Sequence, residues 1–226
     1  MTKNLYSKIL FFTAFFIFIF VWRSVSAHQP RIVFDSKEVI EVKNPEISQA
    51  FYGNLNGKPD YYSINADKDF NFYVGILVPK FPDVDKDFLV KIYQKENPKE
   101  YIYLNGKTYN WTEFYEKFAG DDYFKGPEVR VDLKKGDYVI EVSSQDNIGK
   151  YALAIGEKES FSPIEIVKTI VALPALKSLF FGKSPFTAFF NLIGAYLFGF
   201  IIVIVISIFV IVKIVKFLKT KNLNNK

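Results

Sequence analysis

The stretch "KGDYVIEVSSQDNIGKYALAIGE", residues 135–157, decides the fold class of this chain. It contains two short runs of alternating side chains, 137–142 and 150–155, separated by a turn-forming Asn-Ile-Gly. Alternation with a period of two is the pattern of a strand that buries one face. We therefore predict a strand in each run, and in the first strand Val139 and Glu141 lie on one face and Tyr138, Ile140 and Val142 on the other, of which one is buried.

The same pattern recurs through the middle of the chain. Further runs rich in β-branched and aromatic residues lie at 38–42, 49–55, 60–64, 70–78, 88–94 and 129–133. Many short strands separated by turn residues are typical of an antiparallel β-sandwich. Because the chain has no cysteine, such a sandwich must be stabilised by packing, for which it has 25 Phe and 14 Tyr.

Residues 95–128 interrupt this series of strands. The Asn-Gly pair at 105–106 predicts a hairpin turn, because this pair favours the backbone of tight two-residue turns. The segment "TEFYEKFAG" at 112–120 begins with a capping Thr, has two Phe spaced four apart and ends with Gly, which predicts a short helix. We expect this hairpin and helix to be an insertion that forms a specific surface on the sandwich.

Two parts of the chain resemble the opening and closing strands of bacterial pre-peptidase C-terminal-type domains. The similar motifs are Gly-x-Leu-x-Gly at 53–57, Asp-Tyr-Tyr at 60–62, Gly-x-Tyr-x-Ile-x-Val at 136–142 and Gly-x-Tyr-x-Leu-x-Ile at 149–155. The resemblance covers roughly residues 49–156 and implies a jelly-roll-like β-sandwich that binds or assists and does not itself catalyse. The chain departs from the family in its insertion and in its membrane anchor, with no peptidase attached.

The N-terminus has the three parts of a signal peptide. Lys3 and Lys8 precede an uncharged apolar run at 9–22, and small residues follow up to Ala27. The run is shorter than the roughly 20 residues that a membrane span needs. We expect residues 1–27 to be removed, and an uncleaved N-terminal anchor is the alternative.

A second apolar run, "LIGAYLFGFIIVIVISIFVIV" at 192–212, is long enough to be a transmembrane helix. The tail at 213–226 has five lysines and no acidic residue, and an excess of lysine is typical of the cytoplasmic side. We predict a single-pass plasma membrane protein whose domain at 28–161 lies outside the cytoplasm.

Residues 162–191 connect this domain to the span. Lysines at 168, 177 and 183 and prolines at 174 and 185 divide the apolar residues into pieces too short to cross a membrane. This composition is typical of an amphipathic juxtamembrane helix in the outer interface, with lysine amines reaching toward lipid headgroups. The alternative is a helix packed against the membrane helices of a partner.

The formal net charge of +5 is unevenly distributed. Residues 28–163 contain more acidic than basic residues. Among the charged residues of the two flanks, all are basic except Glu165. The positive excess therefore belongs to the membrane-associated ends, and a nucleic-acid-binding surface is not expected. The expected partners are the lipid bilayer and a protein or carbohydrate outside the cytoplasm.

Two places in the sequence have features of a metal-binding site. Asp83, Asp85 and Asp87 have the 1-3-5 spacing of a calcium loop, although Phe88 stands where an EF-hand needs glycine. The lone histidine, His28, would be the first residue after signal cleavage, but a copper site of amine and imidazole normally needs a second histidine. Calcium at the three aspartates is therefore a possible cofactor, and no other is expected.

Catalysis has little support in the sequence. It contains neither a Gly-x-Ser-x-Gly elbow nor a phosphate-binding glycine loop, and a Ser-His-acid arrangement would depend on His28. We expect a protein that is not an enzyme. The alternatives to a binding protein are a structural subunit of a membrane complex that uses residues 162–212 as its interface, or an exported calcium- or copper-binding protein.

Aromatic residues in and around the insertion are the candidate binding site. Tyrosine and tryptophan provide large contact area at a low cost in side-chain entropy, so exposed rings stack on sugars or anchor a protein. The alternative is that these rings cap the core beneath the insertion. The candidate residues are Tyr101, Tyr103, Tyr109, Trp111, Tyr115 and Tyr123.

Overall fold

Strands dominate the computed structural model, which describes residues 28–34 and 38–223. The expected signal peptide at 1–27 lies outside the described residues. In chain order the strands are β1 (Gln29–Ile32), β2 (Ile40–Glu41), β3 (Gln49–Asn56), β4 (Asp60–Ala66), β5 (Phe70–Pro79), β6 (Leu89–Gln94), β7 (Asn97–Asn105), β8 (Thr112–Glu116), β9 (Asp121–Leu133), β10 (Gly136–Ser143) and β11 (Ile148–Ile155).

The strands form two sheets that pack face to face. The six-stranded sheet has the order β1-β3-β11-β5-β9-β8, and the five-stranded sheet has the order β2-β4-β10-β6-β7. Only β1 with β3 and β2 with β4 pair in parallel among the described strands, and every other pair is antiparallel. The predicted antiparallel β-sandwich is therefore confirmed, and each run predicted as a strand contains one.

Side chains sort between core and surface by strand alternation. In β10, Ile140 and Val142 are fully buried, whereas Val139 and Glu141 lie on the other face. The core also contains a polar network, in which the Tyr151 hydroxyl donates to Asp60 Oδ2 at 2.7 Å and lies 2.7 Å from the Tyr62 hydroxyl. Each buried polar group in this network thus has a partner.

The helix expected at 112–120 is wrong, because this segment begins with β8. Its residues pair with β9 from Thr112 opposite Lys125 to Glu116 opposite Asp121. The glutamate side chain accepts the backbone N–H groups of residues 118 and 119 at 2.9 and 2.6 Å, and Gly120 has a φ of 71°. A capped tight turn therefore ends the strand where a helix would have continued, and β-favouring Thr, Phe and Tyr fill the strand.

The hairpin expected at Asn105-Gly106 is also wrong. These residues lead into a 3₁₀ turn (Gly106–Thr108), and the chain then crosses from the five-stranded sheet to the six-stranded sheet. The Gly106 N–H donates to the Phe88 carbonyl at 2.8 Å, and a Cβ on this glycine would lie 2.5 Å from that oxygen. The glycine is required by close approach of two backbones, not by a two-residue turn. Residues 95–128 consequently supply edge strands to both sheets.

Helix α1 (Pro163–Ala175) begins after the sandwich, with the Ser162 side chain accepting the Glu165 N–H at its first turn. A π-helical turn (Leu176–Phe180) follows directly. Leu176, Phe180 and Phe181 pack on the outer face of the six-stranded sheet, against the side chains of Ala50, Tyr52, Tyr123 and Ala152. The segment after α1 therefore covers protein surface that would otherwise be exposed.

A buried ion pair holds this segment in place. Asp121, at the start of β9, has no exposed surface, and its carboxylate lies 2.6 Å from Lys177 Nζ and 2.9 Å from Lys183 Nζ. Lys177 Nζ also donates to the Ala119 carbonyl at 2.5 Å. The expectation that these amines reach lipid headgroups is wrong for Lys177, which is buried and held by an opposite charge and a hydrogen bond. Lys183 is 38% exposed, and its amine also pairs with Asp121.

The chain divides into two units, one ending at Ala188 and the other including Phe189–Lys226. A 3₁₀ turn (Pro185–Phe189) lies at this boundary. Helix α2 (Leu192–Leu223) forms the described part of the second unit. It continues beyond the apolar run at 192–212 into the lysine-rich tail. Within the described residues, its portion Leu192–Phe217 is the one segment long and apolar enough to cross a membrane.

Candidate functional site

Tyrosine side chains cluster on the solvent-facing side of the five-stranded sheet. Strand register places Tyr61 opposite Glu141, Glu141 opposite Lys91, and Lys91 opposite Tyr103. These side chains form one row across β4, β10, β6 and β7. The next row brings Tyr93 opposite Tyr101. We call this surface the tyrosine face, and it consists of Tyr61, Tyr93, Tyr101, Tyr103, Lys91 and Glu141.

Alternation along each strand explains why these residues point outward. Their neighbours Tyr62, Ile92 and Ile140 are at most 2% exposed and fill the core between the sheets. Since successive side chains in a strand point to opposite faces, burying these neighbours sends the residues beside them to the solvent side. The core thereby positions the tyrosine face on a rigid sheet.

The rings of the tyrosine face contact one another and a lysine. Tyr101 and Tyr103 are 53% and 48% exposed, and their ring centroids lie 6.3 Å apart in an edge-to-face arrangement. Lys91 Nζ lies 4.4 Å from the Tyr101 centroid and 5.4 Å from that of Tyr93. A cation at this distance is attracted to the ring quadrupole and restricts the orientation of the ring. The face is therefore partly organised without a ligand.

Two of the phenols have shifted pKa values. Partial burial, together with the nearby Glu141 carboxylate, raises the pKa of Tyr61 above its usual value. Partial burial, Glu141 and Tyr61 together raise the pKa of Tyr93. Both groups keep their proton at neutral pH, so each hydroxyl can donate as well as accept a hydrogen bond.

A cavity of about 300 Å³ opens beside the turn between β6 and β7. Tyr93 and Tyr101 form part of its wall, and Gln94, Asn97 and Glu100 add polar groups. Aromatic rings beside amide and carboxylate groups offer stacking and hydrogen bonding to the same ligand. The tyrosine face thus continues into a recess whose wall contains both polar and apolar side chains.

The candidate aromatic residues do not form one group. Tyr101 and Tyr103 lie on the tyrosine face, while Tyr109 lies in the crossing segment and is 44% exposed. Tyr115 is 54% exposed on β8, which belongs to the other sheet. Sequence proximity therefore does not bring these four rings onto one surface.

Trp111 and Tyr123 instead pack against the protein. The Trp111 Nε1–H donates to the Gly106 carbonyl at 2.8 Å, and its ring packs against the core. Tyr123 is 4% exposed, with its hydroxyl 3.1 Å from that of Tyr52 and its ring against Phe181. These two residues fit the alternative hypothesis, in which the aromatic rings cap the core.

Sequence reasoning missed Tyr61, Tyr93, Lys91 and Glu141 as members of one site. Alternation in "DYYSI" and "FLVKIYQ" is a signal that Tyr61 and Tyr93 face away from the core. The pairing of β4 and β6 with opposite edges of β10 is what brings them together, and that pairing joins residues distant in sequence.

The aspartates considered for calcium lie in the segment between β5 and β6. Within residues 28–34 and 38–223, no three His, Cys, Asp or Glu side chains converge as a metal site would require, and this includes Asp83, Asp85 and Asp87. Asp87 Oδ2 accepts the Gln145 N–H at 3.1 Å. Calcium binding at these residues stays a prediction.

The His28 imidazole, considered for copper, contacts a serine. Its Nδ1 lies 2.6 Å from Ser48 Oγ. This bond ties the residue to the start of β3.

Comparison with protein-family models finds no match. Comparison with curated proteins finds none either.

Solved structures with a similar fold include a pre-peptidase C-terminal domain of a collagenase from Bacillus anthracis, at 12% identity and a TM-score of 0.33, covering 58% of this chain and 98% of that one. A CBM35 domain from Cellvibrio japonicus is 15% identical with a TM-score of 0.27, covering 45% of this chain and 68% of that one. A β-glucosidase from Paenibacillus barengoltzii is 10% identical with a TM-score of 0.26, covering 59% of this chain and 14% of that one.

A pre-peptidase C-terminal domain, the type that residues 49–156 resemble, is thus among the structures similar to this chain. At these identities and TM-scores the likeness concerns the sandwich fold alone. No function is transferred to this chain from the three proteins.

Proposed function

We propose that this protein is a non-catalytic, single-pass membrane protein whose sandwich lies outside the cytoplasm and binds a carbohydrate through the tyrosine face. One observation carries the proposal: register across β4, β10, β6 and β7 aligns exposed tyrosine rings with a lysine and a glutamate.

The chemistry of the face suits a sugar. A pyranose ring presents C–H groups on its flat faces, which stack on tyrosine rings, and hydroxyls at its edge, which bond to charged and amide groups. Tyrosine supplies this contact area at a low entropy cost because it has only two side-chain torsions. Lys91 and Glu141 stand beside the rings as donor and acceptor.

The same charges disfavour a protein partner. The buried centre of a protein interface is depleted of lysine and glutamate, because their desolvation is costly. On the tyrosine face this pair lies between Tyr61 and Tyr103 in the middle of the row. A ligand rich in hydroxyl groups satisfies both charges, whereas an apolar protein surface leaves them without partners.

The proposed orientation rests on both ends of the chain. The signal peptide pattern at 1–27 exports the sandwich, and Leu192–Phe217 is apolar enough to stop transfer in the membrane. The lysines after Val212 favour a cytoplasmic C-terminus. Protease added outside intact cells should therefore degrade the sandwich and leave the tail; protection of the sandwich would contradict this orientation.

Carbohydrate binding is tested with the full chain in phosphatidylcholine nanodiscs, sedimented with insoluble cellulose, chitin or peptidoglycan. We expect binding to one of them and a loss of roughly tenfold or more in affinity when Tyr101 and Tyr103 are both replaced by Ala. Tyr115→Ala is the matched control, since this tyrosine is equally exposed on the other sheet. The proposal would be contradicted if the chain bound none of the three polysaccharides, or if Tyr115→Ala lowered the affinity as much as the paired substitution.

A second candidate is a structural subunit of a membrane complex, with residues 162–212 as its interface. The exposed rings of Phe186 and Phe190, at 76% and 84%, favour it. In that case the original chain binds none of the polysaccharides and the paired alanine substitution at positions 101 and 103 leaves assembly unchanged, whereas in the first case the substitution weakens ligand binding by roughly tenfold or more. Polysaccharide sedimentation of the original chain and of this variant separates the candidates, because only the first candidate predicts binding that the substitution weakens.

A further inference from the structure

Helix α1 turns its polar residues toward the sandwich. Glu165 Oε2 lies 2.9 Å from Arg31 Nη1 of β1, and the Glu165 side chain is only 15% exposed. Thr169 Oγ1 is buried, and Leu173 is 2% exposed. These three residues are spaced four apart, so they lie on one face of the helix. The Arg31–Glu165 ion pair and the burial of Leu173 thus fix α1 to the protein, whereas the Thr169 hydroxyl between them is buried without a hydrogen-bond partner among the residues that the structure describes.

The opposite face of α1 is apolar and uncovered within the described chain. Ile164, Val167 and Val171 follow the spacing of one helix face and are 59%, 55% and 72% exposed. A surface helix of a soluble domain has the reverse arrangement, with apolar residues inward and polar residues outward. We call these three residues the α1 stripe. A continuous exposed apolar stripe of this kind marks a contact surface.

The chain itself indicates what covers the stripe. The segment that ends α1 is docked on the sheet up to Phe181, and the candidate span begins at Leu192. Residues 182–191 connect them, and a connection of this length extends at most about 35 Å. A bilayer that α2 crosses is therefore at most about this distance from the docked segment. Lys168 is exposed beside the stripe, and its amine lies 2.8 Å from Glu165 Oε1, on the helix face that is turned toward the sandwich.

We propose that the α1 stripe lies in the interfacial layer of the bilayer that α2 crosses. The ligand is a lipid surface, and the contact consists of aliphatic side chains inserted among headgroups and upper acyl chains. This inference rests on the proposed membrane anchor. It adds a second contact that fixes how the sandwich faces the membrane.

The two layers of the sandwich separate the tyrosine face from the segment that follows α1. The segment that follows α1 covers the outer side of the six-stranded sheet, whereas the tyrosine face is on the outer side of the five-stranded sheet. The two surfaces are separated by both sheets and the core. The docked segment and the tyrosine face thus lie on opposite sides of the sandwich, while α1 itself contacts the edge strand β1.

The absence of cysteine allows a direct test with single labels. The full chain carrying Val171→Cys, Tyr101→Cys or Phe209→Cys is labelled with a polarity-sensitive fluorophore and placed in phosphatidylcholine nanodiscs. All three positions are exposed, at 72%, 53% and 60%, so a label leaves the core intact. Quenching by brominated acyl chains reports lipid contact, and quenching by aqueous iodide reports water contact.

We expect the label at 171 to be quenched by brominated lipid, to emit at shorter wavelength and to show several-fold weaker iodide quenching than the label at 101. Val167→Cys, on the same stripe, should behave as position 171. Equal iodide quenching of the labels at 171 and 101 would overturn the inference. A label at 171 that is protected from iodide but not quenched by brominated lipid would overturn it too, because a protein would then cover the stripe. Loss of lipid quenching at 209 would instead contradict the membrane anchor itself.

Discussion

Lys177 Nζ lies 2.6 Å from Asp121 Oδ2, and the two side chains are 1% and 0% exposed. The lysine comes from the segment after α1 and the aspartate from the start of β9. This pair therefore joins the segment after α1 to the six-stranded sheet. Because Phe180 and Phe181 pack beside it, the pair is closed off from water on the side of the segment.

Removing the carboxylate should destabilise the protein strongly. In Asp121→Ala the Lys177 amine stays buried without an opposite charge, and breaking a buried pair in this way costs about 3–5 kcal/mol. The free energy of unfolding, measured for the full chain in detergent micelles by circular dichroism, should fall by that amount. Asp122→Ala, at an exposed neighbouring position, is the control and should change it by no more than about 0.5 kcal/mol.

Replacing the pair with Asp121→Leu and Lys177→Met should recover much of that loss, since an apolar pair of similar volume leaves no buried charge. Lys183 is then released, and its side chain, 38% exposed, can reach water. An equal loss in Asp121→Ala and in the Asp122→Ala control would show that the buried pair contributes little.

Ring stacking and hydrogen bonding on the tyrosine face can be separated at Tyr101. Tyr101→Phe keeps the ring under Lys91 and should retain most of the affinity for the polysaccharide, whereas Tyr101→Ala should weaken binding by roughly tenfold. The measurement is the dissociation constant of the nanodisc-embedded chain. A phenylalanine variant as weak as the alanine variant would assign the contribution to the hydroxyl and contradict stacking.

Glu128 should give stability a dependence on acid pH. Burial opposes its ionisation, but hydrogen bonds from Lys125, Tyr73 and Arg130 prevail and lower the pKa of Glu128 from 4.5 to about 2. Since the folded-state pKa lies below the unfolded value, ionised Glu128 favours the folded state. This contribution to the free energy of unfolding is present above pH 4.5 and is lost as the pH falls toward 2.

The check compares melting temperatures of the original chain and Glu128→Gln. We expect the variant to melt lower at neutral pH and the two curves to converge as the pH approaches 2. Asp132→Asn, on the same strand, removes another carboxylate and is the control for the substitution itself. A constant difference between the original chain and Glu128→Gln across this range would contradict the lowered pKa.

The packing of Trp111 depends on two glycines. A Cβ at Gly126 would lie 2.5 Å from Trp111 Cη2, and a Cβ at Gly106 would lie 2.8 Å from Trp111 Cζ2. Gly126→Ala should therefore displace the indole and lower the free energy of unfolding by about 1–3 kcal/mol, as overpacking does. Denaturant titration measures this loss, and tryptophan fluorescence reports the displacement.

The matched control combines Gly126→Ala with Trp111→Ala. Most of the clash is then absent, so the glycine substitution should cost less in this background than in the original chain. The same cost in both backgrounds would locate the strain elsewhere, for example at the Ile76 carbonyl, which lies 2.9 Å from the added Cβ.

Strand prediction succeeded where alternation reflects a buried face, as in β10 and β4. It failed at 112–120 because Phe114 and Phe118 have helical spacing, while the actual state depends on pairing with β9. An edge strand has few contacts of its own, and its partner decides its conformation.

The local pattern of side chains determined the β-sandwich, the apolar C-terminal helix and the acidic character of the middle of the chain, because periodicity and composition are properties of neighbouring residues. Tertiary structure alone decided which tyrosines share a surface, and it alone buried Lys177 against Asp121. Both depend on strand register and on packing between segments far apart in sequence. A lysine carries no local signal that it will meet a buried carboxylate, and a tyrosine carries none for the ring it will face across a sheet.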